Sequence, residues 1–306
     1  MLSIAHLSDP HLDSAGIGLG PFDYVGKRLL SRISWQAHRR VRHQPAILNR
    51  LMDDVVAHTP HEIVITGDLT NFGTPAEFAA ATTWLHALGD PAHVSIVPGN
   101  HDALVRTRWS ETGERWRPWM SSDGAGLDTE VCFPFLRVRG PAAIIGLNSA
   151  VPTAPLLATG AIGTAQTERL FNLLSKTGQR GLFRLVLVHH PMAEGVVSRR
   201  KALIDAAAVR AVLAAAGAEL VLWGHAHRTA LAPVPGPHGL IPALGIASAS
   251  RYSESVAYTA CWHHLVIEEA NGGWQVRVTV RRLATDGRMQ TAGCYLLNTG
   301  PCRRMA

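Results

Sequence analysis

Five short polar clusters hold the side chains able to do chemistry: Asp9-x-His11, Gly67-Asp68, Gly99-Asn100-His101-Asp102, His189-His190 and Gly224-His225-x-His227. They offer carboxylates, one amide and several imidazoles. Imidazole with carboxylate suits Mn, Fe, Zn or Co, whereas Mg and Ca favour all-oxygen shells. The seven candidate ligands Asp9, His11, Asp68, Asn100, His189, His225 and His227 are too many for one ion, yet enough for two if one carboxylate bridges. Asp9 and Asp68 neutralise only part of the charge of two divalent ions, so the remainder favours a hydroxide and an anionic phosphate. The expected cofactors are two divalent transition-metal ions, and the expected partner is a small anionic phosphoester.

The elements that must position these groups are legible upstream of each cluster. LSIAHLS precedes Asp9, EIVITG precedes Asp68, HVSIVPG precedes Asn100, LFRLVLV precedes His189 and AELVLWG precedes His225. Each run has strand length and β-branched content. Helical patterns lie between them over residues 75–88, capped by Thr74, and over 164–176 and 202–216. Strands alternating with helices imply parallel pairing with right-handed crossovers, and ligand sites form outside the carboxyl ends of such strands. The five clusters of an α/β fold are thus expected to converge on one edge. Gly67, Gly99 and Gly224 fit sharp strand ends where a Cβ has little room. In D-x-H and H-x-H, alternate residues of an extended chain point the same way, so both members reach one site. A single D-x-H or H-x-H arises readily by chance or packing; the ordered set, each member at a predicted strand end, is far more specific.

These same residues resemble the calcineurin-like metallophosphoesterases over about residues 1–250. HLSDPHL, TGDLTNFGTPAEF and VPGNHD are most similar to bacterial class III cyclic nucleotide phosphodiesterases and related small phosphodiesterases. The resemblance implies a four-layer αββα sandwich, two mixed sheets flanked by helices, with the dinuclear site at the strands' carboxyl edge. Carried over residue by residue, it assigns Asp9, His11 and His227 to one metal and Asn100, His189 and His225 to the other, with Asp68 bridging. His101 becomes the catalytic residue, outside the metal shells, donating a proton or hydrogen bond to the leaving oxygen. In the H-H-P pattern His189 is the ligand and His190 a neighbour of the site. Asp102 belongs to the motif and reads equally as a cap for a following helix. The implied mechanism is in-line attack on phosphorus by a hydroxide held between the metals, with no covalent intermediate. No G-x-S-x-G, catalytic Cys-His arrangement or Walker loop argues otherwise, and His61-Glu62 lacks the second histidine of a zincin.

The remaining sequence bounds the setting. With 47% hydrophobic and 17% charged residues in 306, and no Gly/Ser/Pro-rich linker, the chain reads as one domain over 1–306. No apolar run has the ~18 residues of a membrane span, and MLSIAHLSDPHL lacks the marks of a signal peptide, so a cytoplasmic protein is expected. Cys132, Cys261, Cys294 and Cys302 are scattered and suggest neither a disulfide framework nor a thiolate metal site. A net charge of +6 favours anionic partners in general. A basic helical cap is expected over about 25–45; its residues 25–43 carry Lys27, Arg28, Arg32, Arg39, Arg40 and Arg42 around Leu29, Leu30, Ile33 and Trp35. It suits anion steering or peripheral membrane contact, or is a solvated helix packing through its apolar stripe. Near it in type, Trp109, Trp116 and Trp119 lie among Arg106, Arg108, Arg115 and Arg117, an arrangement that stacks a base and holds a phosphate, or packs a loop.

After His227, GLIPALGIASAS, YTACWHHLVIE and GWQVRVTVRRL read as antiparallel strands completing the second sheet, within about 236–283. Residues 284–306 show no period and receive no role, and the oligomeric state is left open. Three functions compete. The first is a phosphodiesterase for a cyclic nucleotide or similar small diester. The second is a lipid-linked pyrophosphate hydrolase or a nuclease using the basic helix, with nucleic acid not favoured. The third is a silent binding scaffold, against which every expected ligand position is filled.

Overall fold

Short apolar runs become strands here because their side chains are buried on both faces. The computed structural model describes residues 1–17, 26–125, 133–270 and 272–301. The runs ahead of the clusters are β1 (Leu2–Leu7), β2 (Glu62–Ile65) and β3 (Val94–Ile96), then, after the hairpin β4 (Phe135–Arg139) and β5 (Ala142–Gly146), β6 (Phe183–Leu187) and β7 (Leu220–Trp223). Downstream come β8 (Ala230–Leu231), β9 (Val234–Gly236), β10 (Gly239–Ile241), β11 (Ala243–Gly245), β12 (Cys261–Ala270), β13 (Gly273–Leu283) and β14 (Met289–Pro301). The principal helices are α1 (Gly26–Ser34), α2 (Pro45–Ala57), α3 (Pro75–Leu88), α4 (Thr164–Gln179) and α5 (Ala206–Ala216). Val25, Cys132 and Cys302 lie outside the described residues, while Cys261 is buried and Cys294 exposed, both free. Among the described residues no helix is long and apolar enough to cross a membrane.

The five cluster-bearing strands do not share one sheet. β1, β2 and β3 run parallel in a sheet ordered β14-β13-β12-β1-β2-β3, whereas β6 and β7 belong to a second, ordered β4-β5-β6-β7-β11-β8. Both sheets are mixed, and they pack face to face. Leu185, Leu187, Leu220 and Leu222 share a core with Leu265, Ile267, Val276 and Val278. Phe183 and Trp274 meet across it with ring centroids 5.7 Å apart. The alternate residues Val186, Val221 and Trp223 point the other way, under Leu170 and Leu174 of α4 and Val209 and Leu213 of α5. Ile47, Leu51 and Val55 of α2, with Phe78, Ala81 and Leu85 of α3, complete the first sheet's core. The result is the expected four-layer sandwich of helices, two sheets and helices.

Three expectations change. β12 and β13 extend the first sheet, β12 lying antiparallel to β1 with Leu265 opposite Ile4, while β11 joins the second, parallel to β7, with the short β8 antiparallel at its edge. The apparently patternless tail supplies β14, antiparallel to β13. As an edge strand with neither face fully buried, it has no hydrophobic alternation to read. α5 begins at Ala206 because the Asp205 carboxylate is engaged by Ile162 N–H and Gly163 N–H (2.9 and 2.7 Å) and residue 204 bonds back to Gly160.

α3 starts where its cap foretells. Thr74 Oγ1 accepts from Glu77 N–H (3.2 Å) and Glu77 Oε2 accepts from Thr74 N–H (3.1 Å), with Pro75 opening the first turn. Glu77 also accepts from the N–H groups of Asn71 and Phe72 (3.0 Å each), so the cap fixes the loop that leaves Asp68. The tryptophan-arginine stretch packs: Trp116 and Trp119 are fully buried and Trp116 lies 4.2 Å from the Phe78 ring, leaving only Trp109 partly exposed. Arg117 pairs with Glu114. Burial therefore removes Trp116 and Trp119 from any base-stacking platform.

Candidate dinuclear metal centre

The carboxyl ends of both sheets meet, and there the backbone is strained. Asp9, His11, Asp68, His225 and His227 have φ of 51°, 41°, 57°, 65° and 50°. For residues with a Cβ this left-handed region costs about 1 kcal/mol or more each. Hydrogen bonds hold it: Asp9 N–H donates to Gly67 O (2.9 Å), His11 N–H to Asp68 O (3.0 Å), Gly224 N–H to His189 O (3.1 Å) and His225 N–H to Asp9 Oδ2 (3.0 Å). A Cβ on Gly99 would stand 2.3 Å from Asp68 Oδ1, and one on Gly224 1.9 Å from Ser8 Oγ and 2.6 Å from Asp9 Oδ2. Neither position has room for one.

All seven expected ligands come together in two groups around Asp68. Its Oδ2 lies 3.8 Å from His11 Nε2 and 3.5 Å from His189 Nε2. On one side the ligand atoms of Asp9, His11, Asp68 and His227 all lie within 4.8 Å of one another. His227 Nε2 is 3.1 Å from Asp9 Oδ1 and 3.3 Å from His11 Nε2. On the other, His189 Nε2 stands 3.2 Å from Asn100 Oδ1, and His189, His190 and His225 form a second cluster. Carbonyl oxygens set the tautomers. Thr66 O takes the His189 Nδ1 proton (2.6 Å), which leaves Nε2 for a cation, while Lys201 O takes the His225 Nε2 proton (3.0 Å), which leaves Nδ1.

The charges suit a cation as well. Asp68 is buried, which opposes ionisation, but His189, His101 and His11 hold its carboxyl well below the usual range. Burial drives His11 and His225 far below the ordinary imidazole value, so both are neutral. Burial also opposes charge on His189, yet Asp68 and Asp9 raise it to about 9, so a proton sits where metal charge would. A central carboxylate with imidazoles on both sides fits two ions of the imidazole-accepting kind.

The family model for calcineurin-like phosphoesterases matches residues 2–229. The chain belongs to that family. It is thus a hydrolase of phosphoester bonds from a dinuclear, metal-dependent family. A probable cyclic nucleotide phosphodiesterase of Synechococcus sp. is 26% identical over 223 residues, 72% of this chain and 76% of that protein. In fold, the phosphoesterase resembles a dimetal phosphatase from Danio rerio (TM-score 0.66, 12% identity, 98% of this chain and 99% of that one). It also resembles the purple acid phosphatase PPD1 of Lupinus luteus (TM-score 0.56, 11% identity, 97% and 53%).

Around the phosphoesterase's ligand groups stand the other residues singled out from sequence. Asp102 caps no following helix: its carboxylate accepts from the N–H groups of Gly99 (2.8 Å), Asp68 (2.9 Å) and Thr70 (2.9 Å), clamping two ligand loops together. His190 bonds Ser149 Oγ (2.7 Å) and Ala158 O (3.3 Å), so both its nitrogens serve a neighbouring loop. His101 N–H donates to Asp68 Oδ1 (2.7 Å) and its Nδ1 donates to Asn71 O (2.8 Å). Its Nε2 therefore accepts, from Arg39 Nη1 at 3.0 Å. Burial and Arg39 bring His101 down to about 4, so the neutral ring offers a lone pair rather than a proton.

One site residue was missed. His43 lies 4.5 Å, ring to ring, from His11 and clusters with His11 and His227, its Nδ1 bonded to Ser250 Oγ (2.9 Å). It follows no strand, and its only signal is that it ends the basic segment. A cavity of about 730 Å³ lies away from all of this, at the amino ends of β6 and β7 among Leu182, Arg184, Ala218 and Trp274.

Proposed function

We propose that this phosphoesterase is a phosphodiesterase for a small diester such as a cyclic nucleotide. The observation that carries the size limit is the course of α1. Arg28 donates to Phe72 O (3.1 Å) and Gly73 O (2.8 Å) in the loop after β2, while Lys27 Nζ donates to Thr153 Oγ1 in the loop after β5. The helix thus bridges the carboxyl-end loops of both sheets, where it would narrow access to the ligand groups. The similarity to the Synechococcus relative supports the same substrate class. Beside His11, a hollow of about 230 Å³ among Pro45, Leu48, Trp84 and Ser250 offers apolar contact for a substrate's organic part.

Asp9, His11 and His227 would hold one ion, Asn100, His189 and His225 the other, and Asp68 would bridge. When bound, two divalent ions supply positive charge for the phosphoryl oxygens and lower the pKa of water. The chain's own part is positional: Asp102 fixes the loops of Asp68 and Asn100, and Asp68 with Asn71 holds the His101 ring at the site. Since its Nε2 carries a lone pair, His101 would have to take up a proton there before it could serve as the expected donor to the leaving oxygen. We read residues 1–306 as one such unit, because β12 completes the sheet of β1. A second reading, a lipid-bearing substrate, draws on Leu30, Ile33 and Val41 of the cap, which are 43%, 53% and 71% exposed beside its arginines.

The deciding measurement is hydrolysis of bis-p-nitrophenyl phosphate against p-nitrophenyl phosphate with Mn²⁺, and with chelator. Preference for the diester, abolished by chelation, is expected. Preference for the monoester sinks the diesterase reading, and activity seen only with substrate in detergent micelles favours the lipid one.

A further inference from the structure

The cap segment turns sharply over one stretch. Between α1 and the short helix Arg40–Arg42 the chain widens into a π-helical turn, Trp35–Arg39. Such turns shift the side chains that follow and recur at functional sites. Buried Trp35 pins this one, 5.9 Å from the Phe72 ring and clustered with Leu104 just beyond the Gly99–Asp102 motif. The turn aims Arg39 inwards.

The partners Arg39 finds there are all neutral. Nη2 donates to Ser31 O (3.0 Å) and Ser31 Oγ (2.6 Å), Nη1 reaches His101 Nε2 at 3.0 Å, and Nε is buried with no acceptor. Among the described residues no carboxylate forms an ion pair with it; Asp68 and Glu77 act on it only from a distance. A guanidinium stays charged at any ordinary pH, and placing one out of water without an anion costs several kcal/mol. Lys27, half-buried, repeats the pattern, with the Thr153 hydroxyl as its hydrogen-bond partner and Asp68 felt through space. The cap thus brings two cations to the ligand groups, and among the described residues neither forms an ion pair with a carboxylate.

We propose that Arg39, assisted by Lys27, is the binding subsite for the outer oxygens of the substrate's phosphate. The proposal rests on the metal-centre reading above. A guanidinium is a permanently charged, planar donor suited to phosphate oxygens; with Nη2 held by Ser31, it is Nη1, beside His101, that a phosphate oxygen can take. When Nη1 turns to a phosphate oxygen, the Nε2 lone pair of His101 loses its donor and becomes free to take up a proton. One residue then links substrate arrival to the readiness of another.

The test is orthophosphate binding to the Mn²⁺-loaded protein by calorimetry, with metal content measured on the same samples, for the wild type, Arg39→Lys and Arg39→Gln. The expected result is an unchanged metal content with phosphate affinity falling in the order wild type, Lys, Gln, the last by roughly ten- to a hundredfold. KM for the diester should rise in the same order. Equal phosphate affinity in wild type and Arg39→Lys, which keeps the charge but loses the Nη1 donor held beside His101 by the Ser31 anchor, overturns the proposal even if Arg39→Gln fails to fold. Loss of metal in the variants also overturns it, since Arg39 would then be supporting the centre. A wild type that takes up no metal defeats the metal-centre reading itself, a failure distinguishable by the metal count.

Discussion

Asp68 stands between two sets of candidate ligands, and its neighbours differ in what they would contribute to a metal. Asn100 Oδ1 faces His189 on one side of Asp68, so Asn100→Ala should weaken one ion and cut kcat roughly tenfold or more, whereas His101→Ala should lower kcat with both ions kept. Metal counts on the two variants separate these roles, and loss of metal from His101→Ala would remove it from the list of residues outside the metal shells. His189 makes a pH prediction. Its folded pKa, about 9, exceeds the ordinary 6.5, so its contribution to the metal-free fold is full below 6.5 and is lost as pH rises through about 9. For metal the sign reverses, because the proton must leave: Mn²⁺ affinity should rise with pH across that window. Calorimetric heats of Mn²⁺ binding that vary with buffer ionisation enthalpy would show the proton release; heats independent of buffer would refute it.

At the scale of elements, α3 couples stability to the site. Thr74→Ala removes a cap and should cost about 1 kcal/mol. Glu77→Ala also strips the acceptor from the Asn71 and Phe72 N–H groups, and should cost more, about 1–3 kcal/mol. Because Asn71 O orients His101, Glu77→Ala alone should lower kcat beyond its effect on folding, as urea denaturation and turnover measured together would reveal. Equal kcat losses in both variants would break this link. α3 was legible because its cap chemistry and boundaries are local. α2 and the β4-β5 hairpin were not: α2 directly follows a basic segment without a stop, and Arg137 in β4 is a buried charge satisfied by Pro91 O and Val94 O (2.8 Å each), partners far away in sequence.

The whole molecule depends on residues beyond the family match. β12 pairs with β1, and Leu265, Ile267, Val276 and Val278 fill the space between the sheets. A chain ending at residue 229 keeps every expected ligand, yet leaves one edge of β1 unpaired and this core open. It should fail to fold cooperatively, as near-ultraviolet circular dichroism and thermal melting would show; a melt like that of the full chain would mean that the first sheet stands without its antiparallel half.

What the sequence determined by itself was the set of candidate ligand clusters and the kind of strand end that carries each, since strand length, glycine placement and period-two spacing are properties of neighbouring residues. The two-sheet arrangement came from resemblance rather than from pattern: a buried strand reads the same whichever sheet it joins. The tertiary structure alone decided that β1 to β3 and β6 to β7 face each other from different sheets, that β14 closes an edge, and that Arg39 and His43 reach the site. Those outcomes depend on contacts between residues tens to hundreds of positions apart, such as Arg39 with His101 and His43 with Ser250, and such contacts exist only once the core has set the distance between the elements that bear them.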